Sequence, residues 1–135
     1  MQSSILKILV VDDDPEISKL YLLLLKGSNI VCLGPFSDGK QAVRAFENDP
    51  NYADLVLIDY RMPGMDGLTA SKIIKGINHK VKLIMISAFE TPVPDAERGL
   101  FEQILRKPVT TKEIIGAIMN VSLKETENAP KSGSQ

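Results

Sequence analysis

Five short apolar runs punctuate this chain, at residues 8–11, 30–33, 55–58, 81–86 and 104–105. The first four consist largely of Val, Ile and Leu and lack the apolar–polar alternation of a strand with one wet face. Such runs read as strands covered on both sides, which is the condition of a parallel sheet packed between helices. The intervening segments supply the helices. Asp14-Pro15 offers a capping carboxylate followed by proline at the first helical position. Ile17, Leu20, Tyr21 and Leu24 continue as a helical stripe that Gly27 ends. A second helix is expected over 39–48, with Ala42, Val43 and Phe46 inward, and a third over 68–77, with Ile73, Ile74 and Ile77 inward. The last starts at Thr110 or Thr111, with Ile114, Ile115, Ile118 and Met119 inward. A simple cap is expected there, because Thr111 and Glu113 are too close for a capping box. The fourth helix is short or irregular: Thr91-Pro92-Val93-Pro94 cannot lie inside a helix, which leaves only a turn or two at 95–100. Strand and helix thus alternate five times, and right-handed crossovers make the fold α/β, a doubly wound five-stranded parallel sheet with helices on both faces.

A length of 135 residues suits one domain, expected over 1–122, with the polar stretch 123–135 as a flexible C-terminal tail. With a net charge of −1, nothing in the overall balance suggests a nucleic-acid binder. Cys32 is the single cysteine, which excludes an internal disulfide. The apolar run at 5–11 is broken by Lys7 and stops at three aspartates, with no cleavage site for an export signal. Leucines 22–25 fall far short of the roughly 20 residues of a membrane helix. A cytoplasmic protein that touches neither membrane nor nucleic acid is expected.

Chemistry-bearing residues collect at the carboxyl ends of the expected strands. Asp12, Asp13 and Asp14 follow the first, Asp59 the third, Ser87 the fourth and Lys107 the fifth. In a doubly wound sheet these ends lie along one edge, where ligands bind. Two like charges about 4 Å apart repel by roughly 1 kcal/mol in water and about 4 kcal/mol at an effective dielectric of ~20. Gathered carboxylates therefore call for a cation or retained protons. Mg²⁺ suits them: it takes oxygen ligands, keeps waters, and is commonly held by one or two carboxylates plus phosphate oxygens. With Lys107 it would supply positive charge around a transferring phosphoryl group. Asp59 can act as a carboxylate nucleophile, and Ser87 can donate a hydrogen bond to a phosphoryl oxygen.

The segments Ile8-Leu-Val-Val-Asp-Asp-Asp-Pro15, Leu55-Val-Leu-Ile-Asp-Tyr-Arg-Met-Pro-Gly-Met-Asp-Gly67, Ile86-Ser-Ala88 and Lys107-Pro108 resemble, in order and spacing, the four signature regions of response-regulator receiver domains. The resemblance covers about residues 5–122 and includes the chemotaxis-regulator type. It implies the flavodoxin-like strand order 2-1-3-4-5 and a phosphoacceptor role for Asp59. It further implies a metal site made by Asp13, by Asp59, by Asp12 through a water, and by the main-chain carbonyl of Arg61. Mg²⁺ is the implied ion, with Mn²⁺ as an alternative. Ser87 matches the switch hydroxyl, Lys107 the phosphoryl-contacting lysine, and Lys107-Pro108 a peptide bond that is typically cis. The implied function is a Mg²⁺-dependent transfer from a sensor histidine kinase or phosphotransfer protein, followed by a conformational switch read by a downstream protein. Such a chain is a signalling domain, not an enzyme in its own right, and is a monomer or a phosphorylation-dependent homodimer.

One departure from the family pattern stands out. Ile104 occupies the position, three residues before the lysine, where receivers usually carry Tyr or Phe. The usual output coupling, and the face formed by the fourth helix, fifth strand and last helix, are therefore expected to be atypical. A degenerate receiver acting as a phosphorylation-independent binding module is the alternative that Ile104 keeps open. A haloacid-dehalogenase-type phosphohydrolase would use Asp12 as nucleophile and leave Asp59 unexplained. A flavodoxin-like electron carrier would need a glycine- and hydroxyl-rich phosphate loop where this chain has three aspartates. Several features have plainer readings. Asp14 serves as a helix cap, His79 and the lysines at 72, 75, 80 and 82 form solvated surface, and Leu22, Leu23 and Leu25 pack partly into the core, with one or two exposed.

Overall fold

The computed structural model describes residues 5–26, 29–88 and 92–127, with side chains of the last helix described through Ser122. Five parallel strands form one sheet: β1 (Leu6–Val11), β2 (Ile30–Phe36), β3 (Leu55–Asp59), β4 (Lys82–Ser87) and β5 (Gln103–Arg106), in the order 2-1-3-4-5. Four α-helices accompany them: α1 (Ile17–Leu24), α2 (Gly39–Asn48), α3 (Gly67–Ile77) and α4 (Thr111–Glu127). A 3-10 segment, Asp95–Leu100, stands where the fourth helix of the series was expected to be short or irregular. Val93 and Phe101 bury themselves on either side of it, and none of its own six residues is buried.

The missing alternation has the expected cause. Leu9, Val11, Val56, Ile58, Leu83 and Met85 point to one face, where Ala42, Val43 and Phe46 of α2 and Ala70 and Ile74 of α3 cover them. Ile8, Val10, Leu55, Leu57, Ile84 and Ile86 point to the other, under Ile17, Leu20 and Leu24 of α1 and Ile114, Ala117, Ile118 and Val121 of α4. All five residues of β3 are buried. Each fully buried Leu or Ile contributes about 1.5–3 kcal/mol over an exposed one, so the doubly covered central strands anchor the fold.

Several local expectations are corrected. Ile73 and Met119 are exposed, at 36 % and 47 %. The buried positions of α4, at 114, 117, 118 and 121, follow a narrow i, i+3, i+4, i+7 stripe that leaves residue 119 outside, and residue 73 lies beside the buried 70, 71 and 74 of α3. Leu22, Leu23 and Leu25 are all exposed. β2 runs to Phe36, past the expected end at 33, because its register slips between Leu9 and Val11 around Gly34. Gly34 has φ of 90°, and a side chain there would bring its Cβ within 2.7 Å of the Val10 carbonyl. The first helical turn begins at Asp14 with i→i+3 bonds, Ile17 amide to Asp14 carbonyl at 3.0 Å, and regular α-helix follows from Ile17. α4 continues past residue 122 to Glu127. Gly27 and residues 128–135 lie outside the described residues.

The start of α4 is a reciprocal capping box, not the simple cap. The Glu113 amide donates to Thr110 Oγ1 at 3.1 Å, and the Thr110 amide donates to Glu113 Oε1 at 2.8 Å. Thr110→Ala is expected to cost about 1 kcal/mol of stability, while Thr111→Ala stays within about 0.5 kcal/mol. Equal losses in thermal unfolding of the two variants would contradict this assignment of the cap.

His79 is exposed. Lys72 and Lys82 pair with Glu97 and Glu102, at 3.2 and 3.8 Å, while the Lys75 ammonium caps the Val81 carbonyl. Among the described residues no helix is long and apolar enough to cross a membrane.

Candidate functional site

Because β1 and β3 are neighbours, the chain leaves the carboxyl end of β1 in one direction and that of β3 in the other. The crevice between those two ends holds the acids. Carboxylate oxygens of Asp12, Asp13 and Asp59 lie within 4.8 Å of one another. Asp59 closes β3 and is 3 % exposed; Asp12 follows β1 and is 7 % exposed; Asp13 is exposed. The extension of β2 helps to place Asp12, whose amide donates to the Phe36 carbonyl at 2.8 Å. Asp12 Oδ1 in turn accepts from the Asp14 amide at 2.9 Å. Asp14 itself takes no part in the cluster. Its Oδ1 accepts from the Glu16 amide at 2.9 Å in a turn ahead of α1, whose N-cap is Glu16 without a side-chain cap, so the expected cap at Asp14 is corrected.

Lys107 reaches the cluster from the end of β5. Its Nζ stands 3.1 Å from Asp59 Oδ1, and its amide donates to the Ser87 carbonyl at 2.8 Å. Ser87 is buried at the end of β4, the strand beside β3, and pairs in register with Arg106. The Lys107-Pro108 peptide is cis. Arg61 is exposed in the loop between β3 and α3, two residues beyond Asp59. The residues named from sequence therefore converge on one rim of the sheet.

The electrostatics follow from burial. Desolvation raises the Asp12 carboxyl from an ordinary 3.8 to about 6, and the neighbouring charge of Asp59 adds to that; the Asp14 amide and Lys107 oppose it. Burial likewise pushes Asp59 above the usual carboxylate range, against the hydrogen bond and charge of Lys107. For Lys107, burial works to lower the ammonium, but the hydrogen bond and charge of Asp59 outweigh it and hold it above its ordinary value. This is a site with more negative charge than its own lysine neutralises.

Oxygen donors of this kind select a hard cation. Ligands of one octahedral Mg²⁺, bound at about 2.0–2.1 Å, stand roughly 3–4 Å apart. A spread of 4.8 Å closes to that range with small side-chain rotations, so the residues present fit the ion. A cleft of about 600 Å³ opens beside Asp12 and Lys107, floored by Ile17, Leu20, Ile86 and Ile114. A second cavity, of about 490 Å³, lies at the amino-terminal rim of the sheet near Leu6, Ala53 and Val81 and contributes nothing to the acidic cluster.

The loop after β3 holds what sequence reading missed. Met62-Pro-Gly-Met-Asp-Gly67 closes the second segment that resembles a receiver signature, with no role assigned from sequence to Asp66 or to the glycines. In the fold, Asp66 Oδ1 caps α3 by accepting from the Thr69 amide at 2.7 Å. Gly39 donates from its amide to the Met65 carbonyl at 3.1 Å, and a Cβ on Gly64, whose φ is 78°, would meet Asp38 Oδ2 at 2.9 Å. The spacing of Asp66 before an apolar helix was a readable cap signal; the close approach at the glycines had none.

Comparison with known proteins bears on the same residues. Residues 8–119 match the family model described as Response regulator receiver domain. The chain belongs to the response regulator receiver domain family. The receiver is 33 % identical over 115 residues to the chemotaxis protein CheY of Bacillus subtilis, covering 83 % of this chain and 93 % of CheY. It is 31 % identical over 128 residues to the DNA-binding response regulator MtrA of Mycolicibacterium smegmatis, covering 92 % of this chain and 53 % of MtrA. The chain thus spans about half the length of that relative, and 29 % of a protein-glutamate methylesterase/protein-glutamine glutaminase from Azospirillum brasilense that is 33 % identical over 116 residues. Among solved structures, a response regulator receiver domain protein from Clostridium thermocellum superposes with a TM-score of 0.69 at 27 % identity, covering 90 % of this chain and 98 % of that one. The receiver is a signalling domain of two-component phosphorelay systems.

Proposed function

We propose that the receiver accepts a phosphoryl group on Asp59, in a Mg²⁺-dependent reaction, from a sensor histidine kinase or phosphotransfer protein. The observation that carries this reading is the pairing of Lys107 Nζ with Asp59 Oδ1 at 3.1 Å inside a cluster of three carboxylates. Asp13 and Asp59 would hold the ion directly, Asp12 through a water, and the Arg61 carbonyl would complete the protein ligands. When bound, the ion supplies charge stabilisation to the phosphoryl oxygens. An Asp59 oxygen attacks phosphorus, the bond from phosphorus to the donor atom breaks, and that bond's electrons leave with the donor. Lys107 then shares its positive charge with the new acyl phosphate, and Ser87 donates a hydrogen bond to it. The partner that reads the phosphorylated state is a further protein.

Among the described residues the ion pair that Lys107 makes in the cluster is with Asp59, not with Asp12, which argues against the phosphohydrolase alternative. The test is treatment with acetyl phosphate, with Mg²⁺ or with chelator, followed by peptide mapping. A single adduct on Asp59 that requires the metal supports the reading; steady turnover of p-nitrophenyl phosphate with no stable adduct opposes it.

Ile104 is half-buried against the core face shared with α3 and pairs in register with Met85. An aliphatic side chain there cannot swing as a ring does. Amide exchange over 92–107 is therefore expected to change less on adding Mg²⁺ and beryllofluoride than it does in a receiver with an aromatic at this position. An equal change would remove any special role for Ile104. No change anywhere, despite an adduct on Asp59, would favour the binding-module alternative.

A further inference from the structure

We infer that Gly67 is a positioning residue for the metal site, acting through the backbone of Asp59, Tyr60 and the loop that carries the Arg61 carbonyl. The inference rests on the proposal that the acidic cluster and this carbonyl hold Mg²⁺. Gly67 makes a very close backbone approach: a Cβ built on it would lie 2.0 Å from the Asp59 carbonyl oxygen, 2.9 Å from the Asp59 carbonyl carbon and 3.1 Å from Ile58 Cγ1. Two of those three atoms are main chain of the residue whose side chain does the chemistry. No rotamer change relieves such a contact, so any side chain at 67 must displace either α3 or the end of β3.

The contact belongs to a closed backbone device. The Gly67 amide donates to the Tyr60 carbonyl at 2.7 Å, and the Tyr60 amide donates to the Ile86 carbonyl of β4 at 2.9 Å. Tyr60 is thus gripped at its amide by the strand beside it and at its carbonyl, the start of the Tyr60–Arg61 peptide, by the first residue of α3. Residue 61 leaves directly from this grip. At its far side the loop is tied again, by the Gly39 amide on the Met65 carbonyl at 3.1 Å. The loop backbone is fixed at both ends by hydrogen bonds that need no ion. A metal ligand supplied by a main-chain carbonyl has no side-chain torsions with which to search for the ion. Its position must be built into the loop, and Gly67 is where this loop is set against Asp59.

The test separates positioning from general stability. Gly76 and Gly116 are helical glycines with nothing within 4 Å of a built Cβ, so Gly76→Ala and Gly116→Ala stabilise α3 and α4 without touching the site. Gly67→Ala is made in that double-alanine background. Mg²⁺ affinity is measured by calorimetric titration, folding by circular dichroism, and amide exchange by NMR in the metal-free parent. The folded Gly67→Ala protein is expected to bind Mg²⁺ at least tenfold more weakly than its background. The Gly67 amide of the parent is expected to exchange at least a hundredfold more slowly than an open amide before any metal is added. A folded variant that binds within twofold of a Mg²⁺-binding background overturns the inference and leaves the metal site intact. A background that does not bind Mg²⁺ overturns both. If Gly67→Ala does not fold, the exchange measurement decides, and a rapidly exchanging Gly67 amide counts against the device.

Discussion

Asp59→Asn is expected to take up no phosphoryl group from acetyl phosphate and Mg²⁺, under conditions that modify the parent chain fully. Asparagine keeps the shape of the side chain and an acceptor for Lys107, so the fold survives while the nucleophilic oxygen pair is lost. Lys107→Ala should behave differently. Asp59 keeps its lone pairs but loses the cation that stands 3.1 Å away, and charge forming on the phosphoryl oxygens goes partly uncompensated. Removing one such stabilising donor typically costs about 10²–10³ in rate, or roughly 3–4 kcal/mol. Intact-mass kinetics on the three proteins check the order: parent fast, Lys107→Ala slowed by about two to three decades, Asp59→Asn absent. An adduct that forms on Asp12 or Asp13 of Asp59→Asn at the parental rate would falsify the assignment.

Asp12→Asn should make the metal-free receiver more stable, although it damages the site. Burial and the charge of Asp59 raise the Asp12 carboxyl from 3.8 to about 6 in the folded state. A carboxyl with a raised folded value binds its proton more tightly folded than unfolded. Stability therefore increases as pH falls from above 6 toward 4, and the ionised group carries a penalty at neutral pH. The difference of about two units corresponds to roughly 2–3 kcal/mol. Asparagine removes the charge and can still accept the Asp14 amide through its Oδ1. In chelator at pH 7.5, Asp12→Asn is expected to melt on the order of 10 °C above the parent. With Mg²⁺ the order should narrow, because the parent alone gains fully from the ion; at 100 times the dissociation constant that gain is about 2.7 kcal/mol. Near pH 4.5 in chelator the two melting points should approach each other. Equal melting points at pH 7.5 in chelator would show that the carboxylate cluster stores no repulsion.

What the chain made legible from sequence was whatever depends on pattern along one strand or helix. Continuous apolar runs announced two-sided burial, and Leu55 to Asp59 is buried throughout. The acids, Ser87 and Lys107 were readable because strand ends in this architecture share a rim. Two adjacent isoleucines, at 73 and 74, could not be told apart by hydrophobicity, since the width of the covered stripe depends on how α3 sits on its neighbours. The apolar run at 30–33 ended before Gly34-Pro35, whereas in three dimensions the Val10 carbonyl and the Tyr21 hydroxyl, which donates to the Leu33 carbonyl, leave just enough room for a glycine and let β2 continue. Two adjacent threonines precede α4, and only Thr110 stands three residues before Glu113, the spacing a capping box needs. Gly67 stands at the end of a signature-like segment, yet its role was not legible there, because that role is an interatomic distance to residue 59.

Lys107 joins two structures at once, its ammonium on Asp59 of the third strand and its amide on Ser87 of the fourth, while it ends the fifth. That fifth strand has four residues and a single neighbour, and none of them is fully buried. The central strands are clamped on both faces and cannot yield. Mechanical compliance in the sheet thus falls to its two margins, and of these it is β5 that Lys107 ties to the acid, so a pull exerted there would be passed first to β5.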